Sequence, residues 1–495
     1  MRGTRTGAIV LEMESPAPSA LKHPSGLYTL FFTEMWERFS FYGMRGLLVL
    51  FLVDNTRGGF GLSDEVATAI YGLYAAAVYL SALPGGWLSD RILGAQRAVW
   101  FGGIIIACGH FTIALDRPTA FYLGLILIVA GTGLLKPNIS AMVGELYPEG
   151  GARRDAGFTI FYMGINLGAA LGPVVCALLA KNAGWPYGFG AAGVGMIIGL
   201  IQFRFTKRHL GAVGVRPSSP KSPRIPIVVG VLFAIVLSLC FAGVIRINPI
   251  QMAQRSRDAL VAIALVYFAA VFIGGKLTTD EKKRVGLIVI LFIAAALFWS
   301  GFEQMGSSFN LFADRFTDRR FLGREIPPAT FQSVGPIFII LLSPVMAALW
   351  IWFAARKINP TVPVKFGFGL VFLSFGFLLM SLAAKVAGRV GSVAPWWLIG
   401  TYFLHTIGEL CLSPVGLSSI TKLAPQRMVG QMMGVWFLAA SLGNLLAGLI
   451  AGSLKMSVAA ELYSGFLQIA ILPGIAGLLL IVLARPIARA LAEAR

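Results

Sequence analysis

Within the stretch FFTEMWERFSFYGMRGLLVLFLV, four ionisable side chains, Glu34, Glu37, Arg38 and Arg45, stand in a segment that is otherwise apolar and long enough to cross a bilayer. On a helix turning about 100° per residue, Glu34, Glu37, Arg38, Phe41 and Arg45 fall at i, i+3, i+4, i+7 and i+11, which places them on one stripe. Each such group near the bilayer centre costs about 2.5–3.5 kcal/mol on insertion scales, so the stripe must face a bundle interior or a wet cavity and find partners there. Later apolar stretches add Lys136, Glu303 and Glu409. Three cations thus meet four carboxylates, which left unpaired would cost about 20 kcal/mol by simple addition. They must neutralise one another or take up protons. A buried carboxylate beside a cation stays charged, and one that loses its partner becomes protonatable because desolvation favours the neutral form. The chemistry implied is an exchange of partners among buried charges along a transport path.

The rest of the chain must supply the spans that hold these groups. With 495 residues, 57% hydrophobic and 13% charged, it lies far from a soluble protein, where about 25% of residues are charged. This reads as a polytopic all-α membrane protein. The net charge of +19 is scattered through short loops rather than gathered in a basic domain, so it does not indicate nucleic-acid binding. Cys108, Cys176, Cys240 and Cys411 all lie in apolar stretches without metal spacing and read as small buried hydrophobes. Residues 1–26 are polar and lack the apolar core of a signal peptide, so the first span is expected to stay as a helix. No P-loop and no GxGxxG after a strand support ATP-driven transport, and no GxSxG, HExxH or paired aspartates support an enzyme. Rings of pore-lining charge, as in a passive channel, are not apparent. The 58 glycines signal close helix packing.

Taking about 20 apolar residues per span, the sequence predicts helices near 27–53, 65–89, 97–115, 119–146, 156–180 and 185–206, then 225–246 and 258–275, then 285–313, 330–355, 364–386, 395–422, 428–453 and 463–485. The organisation is a segment 1–26, a six-helix bundle 27–206, linkers with two accessory helices 207–284, a second six-helix bundle 285–485 and a tail 486–495. Counting residues at the span ends with the adjoining loops, 25 of the 41 Lys and Arg fall outside the membrane on the side of the termini and 13 on the other, leaving Arg38, Arg45 and Lys136 within it, which predicts cytoplasmic termini. The segment DRFTDRRFLGREIPP breaks the trend, being basic on the opposite side. Two six-helix halves place a site near the midplane between them.

The loop GGWLSDRILGAQR, with Gly86, Asp90, Arg91, Gly94 and Arg97, resembles the loop signature of the major facilitator superfamily. Three motifs together are more specific. Glu34-Met-Trp-Glu37-Arg38-Phe39-Ser-Phe41-Tyr42 resembles the ExxERFxYY motif of the proton-dependent oligopeptide transporter family, GGWLSDRILG its first signature, and FYMGINLGAALGP, with Phe161, Tyr162, Asn166 and Gly168, its second. The likeness continues through Lys136 in GTGLLKPN, Glu303 in ALFWSGFEQMGSS and Glu409 in HTIGELCLSPVGLS, and so covers essentially the whole chain; the extra helix pair is similar to that of bacterial members. Phe41 departs from the pattern, where the family has tyrosine.

The resemblance implies a major facilitator fold of twelve core and two accessory helices, working by rocking of the halves as a proton-coupled symporter that imports di- and tripeptides. The rival within transport is a carrier of another small anion or zwitterion, such as nitrate, an amino-acid conjugate or a peptide-like drug. It further implies that Arg45 and Lys136 hold the substrate carboxylate and Glu409 its ammonium group, with Asn166 and Tyr162 hydrogen-bonding the peptide backbone. Tyr42, Tyr79, Trp299, Trp436, Asn444 and Ser413 are the remaining candidates for the pocket wall. Glu303 is expected to carry the coupling proton and to pair with Arg45 when the outside is closed, Lys136 to pair with Glu409 when the inside is closed, and Glu34, Glu37 and Arg38 to assist coupling through Lys136. No cofactor beyond the proton gradient, a cell (inner) membrane location and a functional monomer complete the expectation. His405, four residues before Glu409, reads as a satisfied polar contact.

Overall fold

The computed structural model describes residues 22–215, 235, 238–240, 242–244, 247–321, 323–358 and 360–492. Among them are fourteen α-helices and one short hairpin. The first bundle comprises α1 (Ser25–Val53), α2 (Asp64–Leu88, prolonged by a π-turn over Ser89–Leu93), α3 (Ala95–Ile113), α4 (Pro118–Glu145), α5 (Gly151–Ala183) and α6 (Trp185–Thr206). One accessory helix, α7 (Pro249–Gly274), follows. The expected span 225–246 falls largely outside the described residues. The second bundle begins with α8 (Thr279–Phe302), a 3-10 turn Glu303–Gly306 and α9 (Ser308–Phe316), which together make one crossing. The hairpin Arg320–Phe321/Arg324–Glu325 and a 3-10 turn Pro328–Ser333 lead to α10 (Val334–Ala355), α11 (Val362–Val390), α12 (Trp396–Leu423), α13 (Val429–Ser453) and α14 (Ala459–Ala492).

Local chemistry sets several boundaries. Ser63 caps α2 by accepting from Val66 N, Thr278 and Glu281 form a reciprocal capping box at the start of α8, and Asn248 accepts from Ile250 N and Gln251 N at α7. That Asn248 cap, followed by Pro249, starts α7 nine residues before the expected 258, because the polar first turns continue the helix beyond the apolar run. The crossing expected as one helix over 285–313 is broken at Glu303–Gly306, where Tyr71 of α2 presses against Gly306 so closely that a β-carbon there would lie 2.1 Å from its hydroxyl. Cys108 corrects a sequence expectation: it is exposed on the outward face of α3, while Cys176 and Cys411 are buried.

Ten helical stretches are long and apolar enough to cross a membrane on composition alone. Not among them are α1, α3 and α12, whose apolar runs are interrupted by polar and ionisable residues. Bare apolar rows such as Ile337, Leu341, Val345 and Leu349 on α10 mark the lipid-facing side.

The bundles meet where α2 packs on α13, α5 on α10, and α1 on the 303–306 turn and α9. At the α2–α13 crossing a β-carbon on Gly72 would lie 3.0 Å from the Gly448 α-carbon, so the two backbones touch with no side chain between them. Ser441 of α13 donates to the Ala76 carbonyl (3.0 Å) one turn further along α2. The accessory helix α7 lies against both α2 and α13 and buries Ala253, Leu260, Ala264, Phe268 and Val271 there. This multi-pass arrangement leaves the charged stripe of α1 facing the seam.

Candidate functional site

The sequence places α1 against α5 at small residues, and that contact turns the charged stripe away from lipid. A β-carbon on Gly168 of α5 would lie 2.1 Å from the Met35 carbonyl, so the helices approach backbone to backbone. Glu34, Glu37, Arg38 and Arg45 are consequently all buried, at 2, 0, 3 and 6% exposure. Arg38 grips Glu37 through two hydrogen bonds, from Nε to Oε2 and from Nη2 to Oε1, the latter 2.6 Å long, and its Nε lies 3.3 Å from Glu34 Oε1. Its guanidinium also rests on the face of Phe41, 5.0 Å from the ring centroid. The Phe41 ring thus contacts the cation and stacks on Tyr74, whose hydroxyl has no hydrogen-bond partner within the protein.

Arg45 reaches across the seam. Its Nη2 lies 2.6 Å from Glu303 Oε2, its Nε donates to the Tyr71 hydroxyl (2.8 Å), and that hydroxyl donates to the Glu303 carbonyl (3.4 Å). The break between α8 and α9 makes this possible, because it brings both the carbonyl and the carboxylate of Glu303 toward α1 and α2. Tyr42 stands beside the pair, its ring centroid 5.4 Å from the Arg45 guanidinium carbon. Tyr71 was missed in the sequence; nothing in AIYGLY sets it apart until the partner helix is known.

Lys136 and Glu409 are not ion-paired. Lys136 is half-buried with its Nζ 4.3 Å from the Tyr79 ring centroid, and no carboxylate lies within ion-pair reach among the described residues. Glu409 is 9% exposed, and its Oε2 has no hydrogen-bond partner. The interaction expected between Lys136 and the Glu34/Glu37/Arg38 cluster is likewise not an ion pair in this conformation.

The remaining candidates divide. Tyr162 is exposed and Asn166 buried, and Asn166 Nδ2 is spent on the Tyr162 carbonyl (2.9 Å), leaving its Oδ1 for another partner. Asn444 Nδ2 similarly bonds the Ala440 carbonyl. Trp436 fills the gap opposite Gly416, where a β-carbon would lie 2.2 Å from its ring, and so serves packing between α12 and α13. Trp299 packs edge-on to Phe298 and Phe302, and its Nε1 is buried without a partner. Ser413 is half-buried on α12, one turn beyond Glu409. His405 Nε2 donates to the Leu373 carbonyl (3.2 Å) amid Phe302, Phe309 and Phe377.

Two further ion pairs join the bundles, and both lie on the face of the α1–α2 loop. Arg315 at the end of α9 makes a two-pronged contact with Asp64 at the start of α2 (2.7 Å each), and Lys181 at the end of α5 reaches the Glu325 carbonyl (2.6 Å) and Oε2 (3.2 Å) in the hairpin. Arg319 adds an intrahairpin pair with Glu325 (2.9 Å). These contacts account for the basic loop that broke the charge trend. Every ion pair between the bundles among the described residues is on this face or at the seam below it, so the ion-pair latches are gathered here.

The latches differ in strength and in pH response. Asp64 and Arg315 are about a quarter exposed, so the pair contributes on the order of 1 kcal/mol. Asp64→Asn should accordingly shift the equilibrium several-fold toward opening of this face, read as longer spin-label distances between the starts of α2 and the end of α9. At Glu325, the Lys181 hydrogen bond, then the Arg319 charge, hold the carboxyl below its ordinary value of 4.5. A lowered carboxylate stabilises above its unfolded value and loses that contribution only as pH falls through the depressed one. Lys181→Met should therefore leave the shape of any transport–pH profile between about pH 5 and 8 unchanged.

A buried cation–carboxylate pair across the seam, an unpaired carboxylate on the second bundle and an uncommitted lysine on the first define a membrane transporter with opposed charge sites, not an enzyme centre. The POT family model matches residues 96–464, and the chain belongs to that family. It is 44% identical to the peptide transporter YePEPT of Yersinia enterocolitica subsp. palearctica, over 94% of this chain and 95% of that one. It is 36% identical to a di-/tripeptide transporter of Lactococcus lactis subsp. cremoris, over 95% and 97%. A crystal structure of a peptide transporter POT in complex with sulfate superposes with a TM-score of 0.86 at 39% identity, covering 94% of this chain and 96% of that one.

Proposed function

We propose that this protein is a proton-driven symporter importing di- and tripeptides, with both termini in the cytoplasm of a cell whose inner membrane it spans. It works as a monomer and uses the proton gradient alone. On this reading the latched face is external, and the conformation is that reached after proton release. The observation that carries it is the Arg45–Glu303 pair, 2.6 Å across the seam, standing opposite an unpaired Glu409.

The cycle follows from competition for Arg45. A protonated Glu303 leaves the guanidinium free to take the peptide carboxylate with Lys136, a bidentate partner beside a point charge. Glu409 takes the peptide ammonium group on the other bundle, so a substrate with both charges draws the halves together. When Glu303 loses its proton inward, its carboxylate reclaims Arg45, displaces the peptide and latches the outside. The names of the Yersinia and Lactococcus relatives support peptide as the cargo.

The test is uptake of a labelled dipeptide into proteoliposomes under an inward proton gradient, with and without a protonophore. Accumulation that the protonophore abolishes is expected. Accumulation that ignores the gradient would overturn the reading.

A further inference from the structure

The second bundle holds a group of buried polar atoms that the peptide site does not use. Ser307 Oγ, Asn310 Oδ1, Gln332 Nε2, Ser333 Oγ and Thr330 Oγ1 have no hydrogen-bond partner within the protein. Four of the residues are nearly inaccessible: Ser307 0%, Asn310 1%, Ser333 3% and Gln332 5% exposed. Native interiors leave few such atoms unpaired, and the small partner that usually satisfies several at once is water.

Their placement is not random. Ser307 and Asn310 follow Glu303 by four and seven residues in the chain, across the break and into the first turn of α9. Asn310 Nδ2 donates to the carbonyl of Gly46, the residue next to Arg45 (2.9 Å), and Gln332 Nε2 lies 3.7 Å from where a β-carbon on that glycine would sit. Asn310 and Gln332 therefore converge on the same point of α1. Gln332 and Ser333 close a 3-10 turn whose first residues, Pro328 and Ala329, line an open cavity of about 370 Å³ with Asp54, Lys181, Asp314 and Arg315. Through the meeting of Asn310 and Gln332 at Gly46, these residues connect the turn that lines the cavity with the segment that begins at Glu303.

We propose that Gln332, Ser333, Asn310 and Ser307 hold a file of water that carries protons from the external cavity to Glu303 while the peptide route is shut on that side. Thr330, half-buried, follows the cavity-lining Ala329 in the chain. A hydronium in the cavity gives up one proton, water and hydroxyl groups relay it, the amides orient the water without being consumed, and Glu303 ends as the neutral acid. The groups that act on Glu303 are Arg45, Tyr71, Tyr42, Tyr79 and Lys136 from the first bundle and Glu409 from α12. Protonation breaks the pair with Arg45 and so reopens the external face for the unloaded carrier. Peptide and proton then reach the centre by separate routes, the first along the cleft that opens and shuts between the bundles and the second through the closed contact where α9 and the 328–333 turn meet α1. This inference rests on Glu303 as the proton site.

The experiment compares two fluxes in the same proteoliposomes. Peptide exchange at equal pH needs no external proton to reopen an empty carrier, whereas net uptake under a gradient does. Asn310→Leu should lower the net rate by a factor of about a hundred, the low end of what a positioned proton transfer contributes, and leave exchange unchanged. Asn310→Ser should restore most of the net rate, and Gln332→Met should show the same split as Asn310→Leu. Undiminished exchange also reports a folded carrier. An unchanged net rate in both apolar variants, or a parallel loss of exchange in both, would overturn the proposal. Glu303→Gln separates the two readings: if it still accumulates peptide, Glu303 is not the proton site, and if it does not while both apolar variants do, only the water file is wrong.

Discussion

Glu303→Gln is expected to exchange internal for external dipeptide at near the native rate and to accumulate none against a gradient. A glutamine is the shape of the protonated acid, so it leaves Arg45 permanently free for the peptide carboxylate, and the loaded carrier still crosses. What it cannot do is release a proton inward and reclaim Arg45. An inward gradient of one pH unit supplies about 1.4 kcal/mol per proton, enough for about tenfold accumulation at one proton per peptide. The variant should bring the ratio of internal to external peptide to about one under that same gradient. Measured with a labelled dipeptide, full accumulation by Glu303→Gln would remove this carboxylate from coupling and leave the pair with Arg45 as a structural tie.

The second large effect is on recognition of the peptide's amino end. Glu409 is buried, carries an oxygen without a hydrogen-bond partner and has no cation paired to it. A substrate ammonium group entering there meets a carboxylate that has already been stripped of water. Truncating one partner of such a charge pair costs about 2–5 kcal/mol, which is roughly 30-fold to several-thousand-fold in affinity. Glu409→Gln should lose that much for free dipeptides in a competition assay. An N-acetylated dipeptide has no ammonium group, so it should bind the native protein and the variant about equally. If the variant weakens both ligands alike, Glu409 shapes the pocket but does not read the charge.

Much of this arrangement was legible in the residues themselves. Charge inside an apolar run can only be tolerated when it is paired, and the i, i+3, i+4, i+7, i+11 spacing put Glu34, Glu37, Arg38 and Arg45 on one face before any partner was known. The Arg45–Glu303 pair was anticipated from resemblance, and the geometry brings those two side chains together. What could not be read was what depends on tertiary contact. The break at Glu303–Gly306 sits where Tyr71 packs against Gly306, and the helical period gives no hint of it. The basic segment around Arg315 and Arg319 looked anomalous because its partners, Asp64, Asp314 and Glu325, include one that lies some 250 residues away in the chain. Trp436 was a candidate on residue type alone, and its close packing opposite Gly416 depends on which face of α13 meets α12, which the sequence does not give.

The contact of Gly72 with Gly448 has a mechanical meaning. Interlocked side chains resist turning because each knob must leave its socket, but two bare stretches of main chain can swivel over each other with little to disengage. That point is therefore suited to be the fulcrum about which the halves tilt. A single methyl group on either glycine would push the axles apart and stiffen the machine while leaving the charges that hold the cargo unchanged.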